Sequence, residues 1–250
     1  MPGRTMAALG TGLVGSAAAT GIFLALERVL ANTALSIALA CALGFLVIGI
    51  GLTLVFRKVA IDLAHLQSIL RAVGLERLWV RQDQVPSADA VIDKACSSVD
   101  FMGISARTLF EGKDFETTLT RKSRENSVAF RFLLFNPDSP SLPAAAQAEG
   151  ANPEAWKADI EASIARLRKL KGEVGSAAVS IRSYPSAPVW RFLSVDRGVA
   201  YVSLYPRGVR GKESPAILLR QARHGFFEGF QRTFDLLWES PEAVEYDATA

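Results

Sequence analysis

Residues 189–205 read VWRFLSVDRGVAYVSLY. Two apolar runs rich in β-branched and aromatic residues flank Asp196, Arg197 and Gly198, which have turn composition, so the stretch predicts a β-hairpin. The turn is ordinary, but the first strand is not. Arg191 stands five residues before Asp196 in a run that otherwise looks half buried. A charge in such a strand has either a structural partner or a ligand.

Outward from the hairpin, further strand-like runs lie at Val99–Ser105, Val128–Phe135 and Val179–Tyr184. Helical patterns fall between and around them. Residues 88–97 follow Ser87 as a candidate cap, and Phe115–Arg124 follows the first strand. The long amphipathic segment from Pro153 to about Lys171 opens with Asn152 as cap and proline in the first turn. Phe226–Trp238 places Phe226, Phe227, Phe230, Phe234, Leu237 and Trp238 at helical spacing, which reads as core packing. This order of strands and helices predicts an α/β domain over residues 75–240. Residues 138–153 read as a long loop, and 241–250 as a disordered acidic tail. Two segments concentrate bases: RKSR at 121–124 and YPRGVRGK at 205–212. The second could cradle a phosphate through backbone N–H groups and the side chains of Arg207, Arg210 and Lys212, although a solvated basic loop has the same composition.

The chain has 250 residues, a formal net charge of +3 and a mean hydropathy of +0.21. The apolar excess is local. No charged residue occurs in 6–26 or in 31–56. A bilayer-spanning helix needs roughly 20 apolar residues, so both stretches predict spans and residues 1–57 predict a two-helix membrane hairpin. The first span carries small residues four apart, such as Gly12 and Ser16, which allow close helix approach in lipid. Arg4, Arg57 and Lys58 flank the hairpin on its outer sides, which predicts both termini and the domain on the cytoplasmic side of the inner membrane. Cys41 and Cys96 suggest no disulfide framework. Beyond the second span, Val59, Leu63, Leu66, Leu70 and Val73 are spaced 4, 3, 4 and 3 apart, and Gly74 follows. Residues 58–74 therefore predict a juxtamembrane helix with a heptad seam and a homo-oligomer, with packing against the domain as the alternative.

The 75–240 segment resembles the phospholipase D-like domains. Their motif, H-x-K-x-x-x-x-D, ends a central strand and precedes a strand with a Gly-Ser step. With Asp196 at the motif aspartate, Arg191 falls at the lysine, Val189 at the histidine and Val202-Ser203 at the Gly-Ser step. MGIS at 102–105, FRFLLFNPDSP at 130–140 and the closing helix with Phe230, Phe234 and Trp238 resemble the family in arrangement. The resemblance implies a mixed sheet with flanking helices, behind the two transmembrane helices.

The departures from the motif decide the chemistry. The family uses one histidine as nucleophile and another as acid, and here Val189 occupies the motif position. The chain has only His65 and His224, neither in such a setting. No metal-ligand spacing, Ser-His-Asp set or cofactor motif is legible. The resemblance thus implies a catalytically degenerate, membrane-anchored sensor. It would bind a phosphate-bearing ligand, a nucleotide signal or a lipid headgroup, through Arg182, Arg191, Asp196, Ser203, Arg207, Arg210 and Lys212, and signal by oligomerising. By analogy of architecture such a protein could serve bacterial defence. No cofactor and no nucleic-acid partner are expected. An active phosphodiesterase with an unorthodox nucleophile and a passive membrane scaffold are the alternatives, and an Arg191–Asp196 ion pair is the structural one.

Overall fold

A computed structural model describes Thr20, Ile22 and residues 33–112, 114–125, 127–175, 177–186, 190–205, 213–223 and 225–247. Residue contacts divide the chain into two units, 1–66 and 67–250.

The first unit is dominated by helix α1, Thr33–Ala72, whose 40 residues extend about 60 Å. It holds an 18-residue window of mean hydropathy 2.6, none of it buried, and is long and apolar enough to cross a membrane. Among the described residues it is the one such helix. The expected span at 6–26 lies outside the described residues except Thr20 and Ile22, so one helix of the expected hairpin is described and the other is not. The expected juxtamembrane helix at 58–74 is part of α1. Residues 58–72 continue α1 without a break, because nothing between Gly51 and Val73 interrupts helical hydrogen bonding. Arg57 and Lys58, where the sequence suggested a boundary, are good helix formers. The helix stops at Gly74, with φ of +77°, where a Cβ would sit 2.2 Å from the Arg220 carbonyl oxygen.

The second unit is a mixed α/β domain built on one eight-stranded sheet of order β1-β7-β6-β5-β2-β3-β4-β8. Strands β2 (Ser98–Gly103), β3 (Ala129–Phe135) and β4 (Val179–Tyr184) are parallel. Strands β5 (Trp190–Val195), β6 (Val199–Leu204), β7 (Ala216–Arg220) and β1 (Leu75–Trp79) continue the sheet antiparallel. Helices α2 (Ala88–Ile92), α3 (Arg107–Phe110), α4 (Phe115–Glu125), α5 (Leu142–Ala148) and α6 (Pro153–Val174) lie between strands, and α7 (Phe226–Trp238) follows β7.

The central strands are apolar on both faces because both are covered. On one face Val99, Phe101, Phe130, Phe132, Ile181 and Leu193 pack with Phe115 of α4 and Ile160 and Leu167 of α6. On the other, Met102, Leu133, Phe192 and Val202 pack with Phe227, Phe234 and Trp238 of α7. The expected cap of α6 is present: the Asn152 side chain accepts from the Glu154 N–H at 2.9 Å, with proline in the first turn.

Two expectations change. The 138–153 loop contains α5. The acidic tail is ordered through Asp247, because it finds bases and an open sheet edge. Strand β8 (Val244–Glu245) pairs β4, Glu245 binds Arg182 at 2.9 Å, and Lys171 Nζ donates to the Tyr246 carbonyl at 3.0 Å.

Candidate functional site

The β5–β6 hairpin forms as its sequence predicts, with Arg191 paired to Ser203 and Val195 to Val199. Side chains alternate along β5. Leu193 and Val195 join the core under α4 and α6, whereas Phe192 joins the core under α7. Arg191 shares the face of Leu193, at the end of β5 far from the turn. There it reaches the C-terminal end of β2, since Phe192 pairs with Met102. A Cβ at Gly103 would come 3.5 Å from the Arg191 Cγ and 3.1 Å from Phe101 Cζ, so glycine admits both side chains.

Arg191 is half buried, and its Nη1 donates to Thr108 Oγ1 at 2.8 Å. Among the described residues it forms no ion pair. Burial pushes its pKa below the ordinary arginine value, and the Tyr205 and Glu111 side chains only partly oppose this. Tyr205 stands close by. Its burial raises the phenol pKa, while Arg191 and a hydrogen bond from the Ile104 N–H pull the other way. Ser203 is 4% exposed and its hydroxyl donates to Gln82 Oε1. A cation, three hydroxyls and a carboxamide thus meet beside the C-terminal ends of β2–β4, the side of an open α/β sheet where ligands bind. Chemically, the set can hold an anion: Arg191 supplies charge and the hydroxyls supply donors.

Of the seven expected ligand residues, the structure brings together Arg191 and Ser203. Asp196 does not join them. It lies at the other end of β5, five residues or about 16 Å away, so the expected ion pair with Arg191 does not form. Its carboxylate instead ties the hairpin turn to the start of β2. The carboxylate accepts from the N–H groups of Cys96 (2.9 Å), Ser97 (2.6 Å) and Ser98 (3.0 Å) and from the Ser97 hydroxyl (2.9 Å). Partial burial disfavours its charge, but these donors outweigh that and hold its pKa below the usual carboxylate range.

Arg182 does not converge either. It pairs across β3 with Leu133, on the α7 face, opposite to Arg191. It stacks over Trp238 at 5.0 Å and donates to the Trp238 carbonyl at 2.7 Å and to Glu245. Arg207, Arg210 and Lys212 lie outside the described residues, as do Val189 and His224. His65 lies in α1.

Thr108, Tyr205 and Gln82 were missed from sequence. Tyr205 had a signal: it continues the 201, 203, 205 alternation on the face of Arg191. Thr108 and Gln82 had none, because tertiary folding brings them to residues 83 and 121 positions away.

The fold and this site define a class: a mixed α/β domain with a half-buried arginine, without an ion pair among the described residues, at the C-terminal side of its parallel strands. Residues 70–245 match the family model described as a domain of unknown function, DUF5919, and the chain belongs to that family. No curated protein matches it. Among solved structures it is similar to a phospholipase D family member, Nuc, from Salmonella typhimurium, at 11% identity and a TM-score of 0.38, covering 64% of this chain and 88% of that one. Phosphatidylserine synthase of Haemophilus influenzae Rd KW20 matches at 11% identity and a TM-score of 0.44, over 68% of this chain and 39% of that one. The archaeal chromatin protein TrmBL2 matches at 16% identity and a TM-score of 0.41, over 84% and 70%.

Proposed function

We propose that the domain binds a phosphate-bearing ligand at Arg191 and acts as a membrane-anchored, catalytically degenerate sensor. One observation carries the reading: a half-buried guanidinium whose one hydrogen-bond partner among the described residues is the neutral Thr108 and which has no carboxylate at ion-pair distance there. A buried cation left in this state costs stability, and an anion restores what it lacks. Thr108, Tyr205 and Ser203 add hydroxyls beside it. Loss of turnover is supported by Val189 at the position of the motif histidine. The anchor is α1, and a change in self-association is the output the reading assigns to binding.

The test uses the full chain in detergent. Nucleotides and short-chain glycerophospholipids are screened separately for a rise in melting temperature, which distinguishes a soluble signal from a lipid headgroup. A shift from either group that disappears in Arg191→Ala supports the reading. No shift from any phosphate compound, or a shift that survives Arg191→Ala, overturns it. Hydrolysis of a binding phosphodiester, lost in Arg191→Ala, replaces the sensor with an enzyme.

A further inference from the structure

We infer that α1 carries a docking surface for a second copy of this chain in parallel orientation, and that the surface continues past the membrane into water. Gly49, Leu52, Phe56, Val59, Leu63 and Leu66 are separated by 3, 4, 3, 4 and 3 residues along one uninterrupted helix. This spacing keeps six positions on one seam and extends the heptad pattern of Val59, Leu63 and Leu66 by three positions, Gly49, Leu52 and Phe56, toward the membrane. A Cβ at Gly49 would meet nothing within 4 Å, so a neighbouring backbone can approach closely there.

Lipid is a sufficient solvent for the seam as far as Phe56. Beyond it, Arg57 and Lys58 mark the end of the hydrocarbon. Val59, Leu63 and Leu66 follow on the water side, and they are 49%, 54% and 50% exposed. Three half-exposed aliphatic side chains at 4 and 3 spacing on a watery helix require a cover.

The membrane and the flanking residues say what the cover is. Two copies inserted by the same rule cross the bilayer in the same sense, so their α1 helices run parallel and their seams meet at equal depth. In a parallel heptad pair each residue before an a position faces the residue five later on the partner. That register sets Asp62 against Gln67 of the other copy, a carboxylate against a carboxamide donor. Asp62 is the sole charged residue from Val59 to Leu70, so parallel pairing brings no like charges together at the seam's flanks. Three aliphatic side chains are too few to hold a dimer in free solution. Confinement in one bilayer supplies the effective concentration that they lack. The inference does not depend on Arg191 or its ligand.

The experiment keeps the full chain in its membrane. In a Cys41→Ser, Cys96→Ser background, Leu66→Cys puts a thiol on the seam and Ser68→Cys puts one on the outer face. On oxidation, Leu66→Cys should give covalent dimer at tenfold or higher yield than Ser68→Cys. Equal yields, or no dimer from Leu66→Cys, overturn the surface. In the same membranes, Gln67→Glu should oppose two carboxylates and weaken the dimer about two- to fivefold. The Asp62→Lys, Gln67→Glu double variant should recover it. A Gln67→Glu dimer as tight as the parent overturns the parallel register.

Discussion

The two faces of the sheet treat a buried arginine in opposite ways. On the α7 face, Arg131 of β3 is 22% exposed and fully engaged. Its Nε and Nη2 grip Asp100 at 2.7 Å each, its Nη2 also reaches Asp235 of α7 at 3.0 Å, and its guanidinium lies over Phe234 and Trp238. Asp100, 1% exposed, is further bound by Gln231 at 2.9 Å. Burial works against the Arg131 charge, yet the two carboxylates outweigh it and hold its pKa above the ordinary value. On the other face Arg191 donates to Thr108 and forms no ion pair among the described residues, and burial outweighs the pull of Tyr205 and Glu111. The same residue type, on strands of one sheet, is therefore a clamp in one place and an open donor in the other. What separates them is that Arg131 grips two carboxylates, whereas Arg191 forms no ion pair among the described residues.

The largest expected effect breaks the clamp. Arg131→Ala leaves Asp100 buried with only a neutral partner and a distant Arg197, and should cost about 3–5 kcal/mol of unfolding free energy. The denaturant midpoint of the full chain in detergent reads this, and a loss under 1 kcal/mol would erase the distinction between the faces. Next comes Arg191. Arg191→Ala should weaken a phosphate ligand about ten- to a hundredfold by titration, since a charge-assisted contact contributes about 1.5–3 kcal/mol.

Asp196 offers a third comparison on the same strand as Arg191, a charge satisfied entirely by backbone and one hydroxyl. Asp196→Asn should destabilise the domain by about 1–2 kcal/mol near neutral pH. Its folded pKa is depressed, so the carboxylate's contribution is complete above the unfolded value of about 3.9 and fades as pH falls through the folded value. Parent and variant should therefore converge in stability only below about pH 4. Convergence already at pH 6 would mean that another group is responsible.

The smallest effect has the opposite sign. Arg191→Met, in the absence of ligand, should leave stability unchanged or raise it by up to about 1 kcal/mol, because it removes an incompletely paired charge and keeps the aliphatic stem. A clear loss of melting temperature would make Arg191 a structural residue like Arg131.

The β5–β6 hairpin, the capped α6, the aromatic α7 and the apolar α1 were legible in sequence because each rests on short-range chemistry: alternation, turn composition, a cap, a charge-free run. The edge strands were not. Strand β1, LERLW, is largely exposed and lacks the alternation of apolar and polar residues, and β8 is two residues long in an acidic tail. Pairing with a neighbour made both strands.

Even the hairpin turn shows the division. The sequence places Gly198 there, yet the positive φ angles fall on Asp196 and Arg197, at 53° and 50°. Asp196 is held by three N–H groups from the start of β2, and Arg197 reaches Asp235 at 2.9 Å. Sequence alone determined that the chain has an apolar helix, an α/β domain and a charged residue in a strand. Tertiary structure alone decided which arginine meets a carboxylate. Face and distance across a sheet depend on strand order, and strand order follows from contacts between residues far apart in the chain.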